Sequence, residues 1–150
     1  FELRAAVTPY TGGGYMHTTD DRTPVTFITR YYLDKIKRLC DAHGTKLLFV
    51  TAPSPVNHTM QRHNEVQALA DALAVPYLDL NLNTEELGID WNLDTLDGGD
   101  HLNYTGCQKA TAYLQRYMQT HYTLPDRRKD ARYETWNKRA AEFEKLLPQT

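Results

Sequence analysis

The chain has 150 residues and a mass of 17.3 kDa, a length at which one hydrophobic core is the norm. Its 17 Lys+Arg against 19 Asp+Glu leave a net charge of −2, which argues against the basic surface that tracks a phosphate backbone, so no nucleic-acid partner is expected. No run approaches the roughly 20 apolar residues of a membrane-spanning helix, and no membrane segment is expected in this chain.

The first residues, Phe1-Glu2-Leu3-Arg4, carry neither an initiator Met nor a signal-peptide pattern, and the chain reads as cut from something longer. Residues 1–22 form a loop around Gly12-Gly13-Gly14. No strand precedes the glycines and no Gly-Lys-Ser/Thr follows them, so this is not a phosphate-binding loop. Thr23-Pro24 then supplies a cap and a first-turn proline. Ile28, Tyr32, Ile36, Leu39 and Cys40 recur at helical spacing, and the helix is expected to end near Gly44.

Lys46 to Ala52 (KLLFVTA) is a short apolar run ended by Pro53-Ser54-Pro55, the pattern of a central parallel strand buried on both faces. Val66, Leu69, Ala70 and Leu73 mark a second helix, and after Val75-Pro76 the run Tyr77-Leu78-Asp79-Leu80 marks a second strand. A polar connection from Asn81 to His101 leads to Thr105-Gly106. Ala110, Tyr113, Leu114, Tyr117 and Met118 then form a helix expected to cover one sheet face. From Thr120 the chain turns polar, and residues 120–150 read as a wrapping tail whose segment Arg132 to Leu147 is compatible with helix.

This alternation predicts an α/β fold, a parallel sheet flanked by helices in three α/β/α layers of flavodoxin-like type, with its core in residues 23–119. Two strands are few for such a fold. The remaining strands are expected either before Phe1 or from another copy of the chain, a homo-oligomer that completes the sheet. Cys40 and Cys107 lack any C-x-x-C spacing and read as small buried hydrophobes.

Ser54 is the single serine of the chain. It follows the first strand, where open α/β sheets place ligands, but prolines on both sides disfavour a nucleophile turn. The richest segment is Asp94 to Gly106, where Asp94, Asp97 and Asp100 converge on His101 beside two glycines. A general-base His needs a carboxylate on its far ring nitrogen, and either Asp97 or Asp100 can serve, with Asp97 the easier reach. His58 and His63 miss the i, i+4 spacing of a zinc helix and read as solvated loop histidines, so no metal is expected. A metal shared by His58, His63 and His101 is the weaker rival. Trp91, between Asp90 and Asn92 on the approach to His101, is the aromatic residue suited to stacking on a sugar.

The block D-G-G-D-H-L-N-Y-T-G, after the strand-like Y-L-D-L and before an amphipathic helix, resembles the last block of the SGNH/GDSL hydrolases and their acyltransferase relatives. K-L-L-F-V-T-A-P-S-P and A-V-P-Y-L-D-L are similar to that family's late strands. The resemblance implies a three-layer SGNH-like fold and a Ser-His-Asp mechanism, with His101 as base and Asp97 or Asp100 as its acid. The family's acid lies three residues before the His, a position that is Gly98 here, and its nucleophile and oxyanion blocks have no match. The implied protein is thus the C-terminal half of an esterase or O-acyltransferase whose Ser lies outside this chain, the fragment itself being inactive. Its implied substrate is a small-molecule or glycan ester held by Ser54, Asn57, Trp91 and Asn103, without a cofactor, in an extracytoplasmic setting. The alternative is a non-catalytic SGNH-like carbohydrate-binding module.

Overall fold

A computed structural model of the chain describes residues 4–146. The expectations placed on Phe1 to Leu3 and on Leu147 lie outside the described residues. Among the described residues no helix or strand precedes Phe27. Helix α1 spans Phe27–Ala42 and is capped by Thr26, whose side chain accepts the Thr29 backbone N–H, so the start lies three residues beyond the Thr23-Pro24 signal. Strand β1 is Phe49–Thr51, helix α2 Met60–Ala72 and strand β2 Tyr77–Asp79. A 3₁₀ turn at Leu80–Asn83 and the short helix α3, Thr84–Leu87, lead into the polar connection. Helix α4 covers Tyr104–His121, and helix α5, Glu134–Glu144, follows another 3₁₀ turn.

β1 and β2 pair in parallel, with Phe49 opposite Tyr77 and Thr51 opposite Asp79, and α2 makes the crossover between them. The core lies where β2 and the turns after it meet α4. Leu78, Leu80, Leu87 and Ala110 are buried together, with Leu48, Ile89, Leu102, Tyr113, Leu114 and Tyr117 packed around them. Gly106 lets the first turn of α4 approach the polar connection, because a Cβ there would overlap the backbone of Asp94.

The expected three-layer fold is not what these residues build. The described residues are 48% helix with one open, two-stranded sheet. Only three of the seven residues from Lys46 to Ala52 enter the ladder, and Val50 remains 41% exposed, so β1 is an edge and not a central strand. The apolar stripe of α1 does not cover a sheet either. None of its described residues is buried, and Phe27 is 80% exposed, with Ile28, Tyr32 and Leu39 also in solvent. Its main tether is Glu65 of α2, which pairs with Arg30 and accepts the Val25 backbone N–H. Cys40 is half-buried and Cys107 exposed, so neither acts as a core residue. No helix among the described residues is long and apolar enough to cross a membrane.

Candidate functional site

The polar groups gather where β1 and β2 end. Asp79 closes β2 with its side chain only 1% exposed, and a buried carboxylate is stable only with donors on its oxygens. It has them. His58 Nε2 and His63 Nδ1 each lie 2.8 Å from Oδ2 and the Tyr77 hydroxyl donates to the same oxygen at 3.0 Å. Oδ1 accepts the backbone N–H and the side-chain amide of Asn81. Burial alone would raise the Asp79 pKa, but the bonds from His58 and Asn81 outweigh it and hold the carboxyl well below its ordinary range. Burial, with Asp79 and Tyr10 nearby, pushes the Tyr15 phenol up, which keeps it a neutral donor to Asn81 Oδ1 at 3.0 Å.

Asn81 carries this network to the other side of the site. Its Oδ1 also accepts the Ser54 backbone N–H at 2.9 Å, and the Ser54 hydroxyl donates to the Asp100 carbonyl at 2.9 Å. Asn57 donates its amide to Asp100 Oδ1. Ser54 and Asn57 thus grip the backbone and side chain of the residue next to His101.

The segment around His101 is a closed loop. Thr95 and Leu102 form an antiparallel bridge, Leu96 donates to the His101 carbonyl at 2.9 Å, and the buried Thr95 hydroxyl accepts the Gly99 N–H at 2.6 Å. Gly98 and Gly99 take φ of +76° and +100°, a backbone region open to glycine at little cost. That turn folds Asp97 back onto His101. Asp97 Oδ1 accepts the His101 backbone N–H at 2.8 Å and Oδ2 meets the ring Nδ1 at 2.7 Å. Asp100 Oδ2 stands 3.7 Å from the same nitrogen. The Asp97 bond and then the charges of Asp100 and Asp97 raise the His101 pKa above its ordinary value. The His101 backbone N–H, followed by its ring, lowers that of Asp97.

The ring is 65% exposed, so with Nδ1 bound to Asp97 its Nε2 lone pair faces outward as an acceptor. Asp97, Asp100 and His101 also present one ligand atom each within 4.8 Å of one another. An ion bound through Nδ1 would replace the Asp97 hydrogen bond. His58 and His63 do not join them, since each commits a ring nitrogen to Asp79.

The other residues singled out in the sequence are placed differently. Asn103 is 2% exposed, caps α4 through Oδ1 and donates its amide to Leu93 and Ala6; its polar atoms are all engaged inside the protein. Trp91 stands edge-on to Tyr10 and Tyr15. Sequence reasoning missed the Asp79 cluster. The available signal was a carboxylate within the apolar run Tyr77 to Leu80, which requires partners wherever that run is buried.

Compared with known protein families, with curated proteins and with solved structures, the chain matches none. The similarity to the SGNH/GDSL family is therefore overturned, by the absence of any match and by the open two-stranded sheet in place of that family's larger one. With it fall the esterase and O-acyltransferase functions and the SGNH-like binding module that it implied. What fold and site define is a small, mostly helical domain with an exposed His–carboxylate pair at the strand ends.

Proposed function

We propose that Asp97 and His101 form a general-base dyad that takes a proton from a small hydroxyl-bearing ligand, or from water, at Nε2. The observation that carries this reading is the double hold of Asp97 on His101, ring and backbone at 2.7 and 2.8 Å. A carboxylate bound to Nδ1 fixes the tautomer, aims the lone pair of Nε2 and stabilises the imidazolium that forms. Asp100 adds negative charge, and Ser54 and Asn57 act as positioning residues that fix Asp100 from the far side. Ser54 donates its hydroxyl to a carbonyl, so the proton to be removed belongs to the ligand.

Ring opening of 5-nitrobenzisoxazole reads this out directly, since it needs only abstraction of a carbon-bound proton by an accessible base. The rate is expected to rise with pH through a midpoint above 6.5, the ordinary value for His. It should fall by about tenfold or more in His101→Ala, with a smaller loss in Asp97→Asn. A rate unchanged in His101→Ala, or a His101 ring that titrates identically with and without Asp97, removes the reading.

A further inference from the structure

We propose that the groove walled by Trp91, Tyr10 and Tyr15 binds a neutral, hydroxylated six-membered ring, a pyranoside. The groove encloses about 490 Å³, within the ~300–1,000 Å³ of small-ligand sites. Tyr10 and Tyr15 stand edge-to-face with Trp91, at centroid distances of 6.1 and 5.9 Å and interplanar angles of 70° and 83°.

These walls are fixed in place. A side chain on Gly12 would overlap the Tyr10 ring, and a Cβ on Gly99 would come within 2.8 Å of Tyr10 Cδ2, so Tyr10 packs closely against both glycines. Its backbone N–H donates to the Trp91 carbonyl at 3.0 Å. Tyr15 is anchored through its hydroxyl to the buried Asn81. Rings held before a ligand arrives lose little entropy on binding it.

The chemistry of the lining selects the ligand class. Among the described residues no Asp, Glu, Lys or Arg lines the groove, which disfavours phosphates, carboxylates and ammonium ions. The Tyr15 hydroxyl and the Asn81 amide are engaged with the protein, but other polar groups of the lining are not: among the described residues the Trp91 indole N–H, the Thr84 hydroxyl, the His17 ring and the backbone N–H groups of Gly13 and Gly14 make no hydrogen bond within the protein. An apolar aromatic wall edged by free donors and acceptors complements a sugar ring, whose C–H face is apolar and whose rim carries hydroxyls. The triple glycine also gains a physical role, since Gly12 makes room for Tyr10 while Gly13 and Gly14 expose bare backbone to the groove.

The probes are methyl α- and β-D-glucopyranoside, methyl β-D-galactopyranoside and N,N′-diacetylchitobiose, titrated into the 150-residue chain while the indole N–H signals of Trp91 and Trp136 are followed by NMR. At least one sugar is expected to move the Trp91 signal with a Kd of roughly millimolar order and to leave Trp136 unmoved. Trp91→Ala should weaken binding by about tenfold or more, read from ligand saturation transfer. Thr84→Val, which keeps the helix and removes one hydroxyl, should weaken it several-fold and covers the case in which Trp91→Ala fails to fold. Binding should survive His101→Ala, which separates this site from the proton-transfer dyad. The proposal is overturned if no sugar moves Trp91 at about 50 mM, if binding persists in Trp91→Ala, or if tetramethylammonium binds and the sugars do not.

Discussion

Asp79 is the residue on which the strand-end architecture depends. Asp79→Asn keeps the volume but turns an acceptor-only group into one that brings its own N–H donors against His58, His63 and Tyr77. It should cost about 2–4 kcal/mol in urea unfolding; a loss below measurement error would show the cluster to be dispensable. The sign of its pH dependence follows from its lowered pKa. A depressed carboxyl stabilises the fold above its unfolded value near 3.8 and loses that contribution as pH falls toward the folded value. Acid unfolding of the parent chain should therefore begin below about pH 4 and be shallower in Asp79→Asn, as circular dichroism can follow. At this scale the sequence was half legible. Asp97 and His101 could be paired on paper because only three residues, two of them glycines, lie between them. His58 and His63 read as solvated because their partner is 16 to 21 residues away, a separation that no local pattern spans.

Helices α1, α2 and α4 follow the apolar spacing, since local periodicity reports which face of a segment is greasy. It does not report what the face will meet. Leu39 of α1 and Leu78 of β2 are both periodic leucines, yet Leu39 is 61% exposed and Leu78 only 8%. Leu78→Ala should cost about 2–4 kcal/mol through lost packing and a cavity, while Leu39→Ala should stay within about 0.5 kcal/mol. Thermal melts of the two variants compare them directly, and equal losses would mean that α1 is covered in solution. The number of strands was illegible for a related reason. An apolar run such as Lys46 to Ala52 reads the same in a central strand and at an edge, and only the presence or absence of a neighbouring strand separates the two.

Across the whole molecule the architecture is lopsided: α4, β2 and the loop of His101 share the core, and α1 stands apart from it. With no buried side chain and its chief polar tether at Glu65, α1 has little to hold it when that one carboxylate is lost. Its backbone amides should accordingly exchange with deuterium through a local opening, at a lower free energy than those of α4, which open only when the core does. Glu65→Gln should speed exchange across α1 and leave α4 unchanged; uniform protection of both helices would show a single cooperative unit. One carboxylate of α2, that of Glu65, would then decide whether this chain unfolds in one step or in two.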